Sequence, residues 1–184
     1  MWAYIICAGI WIAIIFWWLI PVARKHITHE IYMSCGLGIY FSLIVLGSIW
    51  KSVDIRLLLH IGYAVIVLGI AFVIPSFISL KHKGKPESGW EHTTELIKSG
   101  VYGIVRHPFC LGCAIAMIGI MLVIQSVPST ILGLVAIFCF WMASRKEDAF
   151  NIEKFGDEYK EYMKKVPMWN IFKGVFLRRV SNHG

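Results

Sequence analysis

The stretch Gly100-Val-Tyr-Gly-Ile-Val-Arg-His-Pro-Phe-Cys-Leu-Gly112 joins the longest polar segment of the chain to a long apolar run. Pro108 has no N–H and a fixed φ, so it suits the first turn of a helix. It also pushes His107 out of the α region, towards an extended conformation. The stretch therefore predicts a turn carrying Arg106 and His107 at the mouth of an apolar helix. The first N–H groups of such a helix lack internal partners and its end carries positive potential, so it can receive a carboxylate or phosphate. On spacing alone the plainer reading makes Arg106 a basic anchor at a membrane surface and His107 an interfacial residue.

The rest of the chain repeats the long apolar run. Of 184 residues, 58% are hydrophobic, against about 45–50% in soluble domains, and the mean hydropathy is +0.68. The apolar residues gather at 1–23, 31–50, 57–80, 108–125 and 131–143, most of them near the roughly 20 residues that cross a bilayer. The expected fold is all-α: a polytopic membrane protein with about five transmembrane helices, a C-terminal helical hairpin turning at Gln125–Thr130, and an amphipathic helix beyond it. Residues 1–80 then form three N-terminal spans, and residues 81–184 a loop, the hairpin, the last helix and a tail. The first apolar run lacks a basic leading segment and exceeds a signal peptide's core, which makes it a retained span. Pro75 is expected to kink the third span. The five cysteines lie in or beside apolar segments, and Cys110-Leu-Gly-Cys113 reads as small residues for helix packing, with no metal-ligand spacing anywhere.

Charge sets the orientation. Every one of the 18 Lys and Arg residues except Lys51 and Arg56 falls in segments 24–30, 81–107 or 144–184, which five spans place on one side. By the positive-inside rule the N-terminus is outside and the C-terminus cytoplasmic. The net charge of +7 is then matched by anionic lipid headgroups and calls for no nucleic acid.

After Ala143, Ile152, Phe155, Tyr159, Tyr162 and Val166 recur along one helical face. Gly156 favours a bend within that helix and Pro167 ends it. Ser144-Arg-Lys-Glu147 matches the capping box, in which Glu147 only satisfies a backbone N–H; a ligand role for Glu147 is the other reading. The hairpin returns both its ends to one side, which brings Arg106–Pro108 beside Arg145-Lys-Glu-Asp148. Two carboxylates, an Arg, a His and a helix N-terminus there would suit a zwitterionic or cationic ligand at the membrane surface. Tyr159 and Tyr162 read as interfacial packing.

Residues Leu96 to Gly112, with Arg106-His107-Pro108, resemble the R-H-P-x-Y-x-G signature of the isoprenylcysteine carboxyl methyltransferases and the related phospholipid N-methyltransferases. A second block resembles the later part of their pattern: Glu147-Asp148, Phe155-Gly-Asp-Glu-Tyr159, Tyr162 and Val166-Pro167. The resemblance covers roughly residues 94–175. It implies an integral membrane methyltransferase that uses S-adenosylmethionine, yields S-adenosylhomocysteine, and takes a lipid or lipidated acceptor sideways from the bilayer. Carried over by position, Thr94, Glu95, Leu96, Ile97, Tyr102, His107, Pro108, Phe109, Cys110, Gly112 and Glu147 are its cofactor-binding candidates. Glu147, Arg106 and Arg145 are its candidates for the chemistry. The chain departs from the pattern at Cys110, where the family has Tyr, at Asp148, where it has Glu, and at Ala143, where it has a substrate-binding Arg. Methyl transfer needs alignment and exclusion of water, and an amine acceptor needs in addition a base such as Glu147. A small non-catalytic membrane protein, with no affinity for the cofactor, is the competing reading.

Overall fold

The structure is a computed structural model and describes residues 1–20, 28–84 and 94–183. The expectations placed on Arg24, Lys25 and His26, and on the polar segment Lys85–Thr93, lie outside the described residues. No strand occurs among the described residues. The helices are α1 Trp2–Ile14, continued by a π turn Ile15–Leu19, then α2 Thr28–Trp50, α3 Arg56–Lys83, α4 Pro108–Ile124, α5 Val127–Phe155, α6 Asp157–Lys165 and α7 Ile171–His183.

Helices α2, α3 and α5 are long and apolar enough to cross a membrane, and α1 and α4 are shorter apolar helices. At 17 residues, α4 is about 25 Å long, most of the roughly 30 Å of a hydrocarbon core. The outer surface is apolar where a soluble protein's would be charged. Leu57, Val67, Leu68 and Ile74 on α3, and Ile131, Leu134 and Phe138 on α5, are all exposed. Inside, small residues set the packing. Helix α3 lies along α4, and α2 along α5. A Cβ at Gly69 would stand 2.6 Å from the Gly112 carbonyl, and one at Gly119 2.6 Å from the Gly62 carbonyl. That backbone-on-backbone seam is the small-residue packing used where lipid supplies no hydrophobic drive between helices. Cys110 and Cys113 are free thiols, buried in the core with Leu43, Met117 and Phe140.

The α4–α5 turn is held from the neighbouring connector. Gln125 adopts a left-handed conformation, φ 51°. Its side chain accepts from the Ile55 N–H at 2.8 Å and donates to the Ile55 carbonyl at 3.0 Å, so both backbone hydrogen-bonding groups of one residue hold it in place. Helix α3 continues through Pro75, with the Ser76 hydroxyl donating to the Val73 carbonyl.

The largest departure from the sequence reading is in α5. No helix begins at Ser144. The fifth helix starts at Val127, capped by Ser126, and runs without a break to Phe155. Ser144 lies in its middle, buried, donating to the Phe140 carbonyl and accepting from the Trp169 indole N–H at 3.1 Å. The capping box is therefore not formed, and Glu147 is not an N-terminal cap. The break falls at Gly156, φ 61°, ψ −133°, a conformation that glycine adopts without strain.

Candidate active site

The long α5 decides the site. Because it extends past its apolar part, Glu147 and Asp148 stand beside the start of α4. There His107 precedes Pro108 with φ −121° and ψ 66°, out of the α region as the proline requires. The hairpin thus brings together residues forty apart in sequence, as its topology predicts. The His107 Nδ1 lies 3.1 Å from Glu147 Oε2 and its Nε2 lies 2.8 Å from Asp148 Oδ1. Burial favours the neutral ring, but a carboxylate at each nitrogen outweighs it and the His107 pKa is raised to about 9. At neutral pH the ring is an imidazolium that donates from both nitrogens. It orients Glu147 and cannot act as a base.

Asp148 is the hub of the cluster. It accepts from Arg106 Nε at 3.1 Å and Nη2 at 2.7 Å, from His107, and from the Tyr159 hydroxyl at 2.7 Å. Arg106 uses Nη1 to donate to the Val166 carbonyl at 2.6 Å and the Met163 carbonyl at 3.4 Å, and its backbone N–H donates to Pro167. The Tyr162 hydroxyl donates to the Tyr102 carbonyl at 2.6 Å. These bonds fasten α6 and the turn after it over residues 100–106. Burial and Asp148 push the Tyr159 phenol well above its usual range, so it remains a donor. Helix α7 closes the same turn from behind. Its Gly174 lies so close to Ile104 that a Cβ would strike the carbonyl, and Arg178 donates to the Gly100 carbonyl at 3.3 Å.

Beside the cluster lies a cavity of about 220 Å³. Of the sequence-derived candidates, Glu95, Leu96, Ile97, Tyr102, Arg106, His107, Phe109, Cys110 and Glu147 line it. Glu147 is the accessible member of the cluster: its side chain is 36% exposed, against 2% for His107 and 10% for Asp148. Four candidates lie elsewhere. Pro108 is the buried first residue of α4, and Gly112 belongs to the seam with Gly69. Thr94 is exposed, its N–H donating to the Gly84 carbonyl. Arg145 is exposed on the outer side of α5, its guanidinium 5.5 Å above the Trp141 ring, because two residues along a helix turn a side chain through about 200°. Arg106 lines the cavity, but Asp148 and two carbonyls engage it, which makes it a positioning residue.

Sequence reasoning passed over two groups of residues, and it placed Asp148 at the site without giving it the central role. Tyr159 and Tyr162, read as interfacial packing, are buried at the site with their hydroxyls engaged. Asp148, the companion of Glu147 in the second motif, is the centre of the network. Trp18, His29, Glu30, Met33 and Leu37, all before residue 40, line the cavity as well; no motif marks them.

The segment that carries this site resembles known proteins in sequence. The model of the phospholipid methyltransferase family matches residues 57–158. This chain belongs to that family. The match runs from α3 through the hairpin to the start of α6, so it contains His107, Glu147 and Asp148. A curated relative, protein-S-isoprenylcysteine O-methyltransferase of Schizosaccharomyces pombe, is 34% identical over 73 residues, which are 39% of this chain and 31% of the relative. The chain thus aligns with about a third of that relative's length. No solved structure matches the chain.

Proposed function

We propose that this chain is an S-adenosylmethionine-dependent integral membrane methyltransferase acting on a lipid or lipidated acceptor, with its site on the cytoplasmic face. The observation that carries this reading is Glu147: a half-exposed carboxylate, fixed by an imidazolium, on the wall of a cavity at the end of the membrane helices. The donor set fits the cofactor. Glu147 and Glu95 offer carboxylates to its ammonium and hydroxyl groups. Leu96, Ile97, Tyr102 and Phe109 offer apolar and aromatic surface to its base. When bound, S-adenosylmethionine would supply a methyl group already activated on a sulfonium.

The protein's own part is then alignment and exclusion of water. His107 and Asp148 hold Glu147 and Arg106 in fixed positions. Arg106 ties down the segment that carries Tyr159, Tyr162 and Val166, three buried side chains that pack with Leu96. Leu96, Tyr159 and Tyr162 of that cluster form part of the cavity wall. Helices α2 and α3 contribute Met33, Leu37, Phe77 and Leu80 to the lining, apolar surface suited to a hydrocarbon chain arriving from the bilayer.

The test is calorimetry and thermal shift of the purified protein in detergent with S-adenosylhomocysteine. Saturable binding in the micromolar range or tighter is expected, with a rise in melting temperature. Absence of both heat and stabilisation at high ligand concentration favours a non-catalytic membrane protein.

A further inference from the structure

Helix α7 is held to the rest of the molecule at three points. Just before it starts, the Trp169 indole N–H donates to the Ser144 hydroxyl, where the apolar part of α5 gives way to Arg145-Lys-Glu-Asp148. In its middle, Gly174 abuts the carbonyl of Ile104, shortly before α4 begins at Pro108. Further on, Arg178 donates to the Gly100 carbonyl at 3.3 Å. A Cβ at Gly100 would stand 4.0 Å from the Ser79 hydroxyl, one turn short of the end of α3 at Lys83. Each point marks the end of an apolar helix segment, so α7 runs along the membrane boundary. Ile78, next to Ser79 on α3, is exposed, and lipid therefore reaches this level.

The three points also fix which side of α7 faces outward. Gly174 and Arg178, one turn apart, face the turn at residues 100–104. Phe172 and Phe176 are offset from them by two residues, about 200° round the helix. They are accordingly 89% and 66% exposed, with Val175 exposed beside them. Lys173 and Arg179 are exposed on the same outward half. The Asn170 side chain accepts from the Lys173 N–H at 2.9 Å and so caps the first turn. Two phenylalanines one turn apart, flanked by cations and set at a bilayer boundary, are the pattern of a helix lying in the plane of the membrane interface. The cations select the charge of the lipid they meet.

We propose that the outward face of α7 is a docking surface for anionic phospholipid. Phe172 and Phe176 enter the boundary between headgroups and acyl chains, and Lys173 and Arg179 meet the phosphates of acidic headgroups. Arg178 serves the protein instead, through the Gly100 carbonyl.

The experiment measures amide hydrogen exchange of the full chain, one copy per nanodisc, in phosphatidylcholine with and without phosphatidylglycerol. Amides of α7 are expected to exchange at least about fivefold more slowly with the anionic lipid present, the effect of about one basic residue at a charged surface. Amides of α6 serve as the internal reference and should not respond. The difference should shrink at about 1 M salt, where the screening length is about 3 Å. Lys173→Gln with Arg179→Gln should abolish it. Phe172→Ser with Phe176→Ser, both at exposed positions, should speed α7 exchange in either lipid mixture. Equal exchange of α7 in the two mixtures overturns the proposal, as does a lipid difference that survives the loss of both cations. Protection that appears only when two copies share a disc assigns the face to a second copy of the chain and overturns it as well.

Discussion

Asp148→Asn keeps the shape of the side chain and removes the charge on which Arg106, His107 and Tyr159 converge. The Arg106 and Asp148 side chains are 9% and 10% exposed, so two cations remain where water barely reaches. Removing one partner of a buried ion pair costs about 3–5 kcal/mol. Arg106 keeps its bonds to the Met163 and Val166 carbonyls, and His107 keeps Glu147; the expected loss is therefore at the lower end, about 3 kcal/mol. At about 2–4 °C per kcal/mol for a chain of this size, the melting temperature falls by about 6–12 °C. Thermal unfolding of the detergent-solubilised protein, followed by tryptophan fluorescence, reads this directly. Asp157→Asn is the control. Its ion pair with Lys160 is as short, 2.8 Å, but the Asp157 side chain is 92% exposed, and no change in melting is expected. An Asp148→Asn protein that melts like its parent, or an equal loss in Asp157→Asn, would refute the view that burial makes this network matter.

Three further outcomes are expected. The folded-state pKa of His107, about 9, is raised above the unfolded value of about 6.5. Its stabilisation is therefore fully present below pH 6.5 and lost as pH rises through 9; melting temperature should decline over that window, and the decline should shrink in His107→Gln. Glu147→Gln should remain folded yet bind S-adenosylhomocysteine at least about tenfold more weakly, as read by calorimetry; unchanged affinity would remove Glu147 from the site. Gly69→Leu should destabilise by at least about 1–3 kcal/mol, since its Cβ would meet the Gly112 carbonyl and Ala116 backbone, whereas Gly9→Leu, with nothing within 4 Å, should melt like the parent.

Much of this protein is legible in its sequence because its strongest signals are local. Long apolar runs have to become helices in lipid, where every backbone group must be satisfied within the segment. Pro108 sets the start of α4 and the extended conformation of His107 through covalent geometry alone. A hairpin must return its ends to one side, and that constraint placed Arg106 and His107 beside Glu147 and Asp148. Gly156 marks the break between α5 and α6 because it is free to adopt a positive φ.

Tertiary structure decided what local pattern leaves open. Ser144-Arg-Lys-Glu147 is a sound capping box, but Ser144 is buried against Phe140 and Trp169, and the helix runs through it to Phe155. Two residues separate Arg145 from Glu147, yet only helix phase sends one outward to Trp141 and the other into the cavity. Tyr159 looks like an ordinary member of an amphipathic helix until the break at Gly156 folds α6 back over the turn at Arg106 and its hydroxyl reaches Asp148. The wall of Trp18 and Glu30 depends on α1 and its continuation packing on α2, and on α2 packing along α5, contacts between segments far apart in the chain. Helix starts and spans follow from each segment's own backbone and its solvent; partners across a cavity follow from how the segments pack.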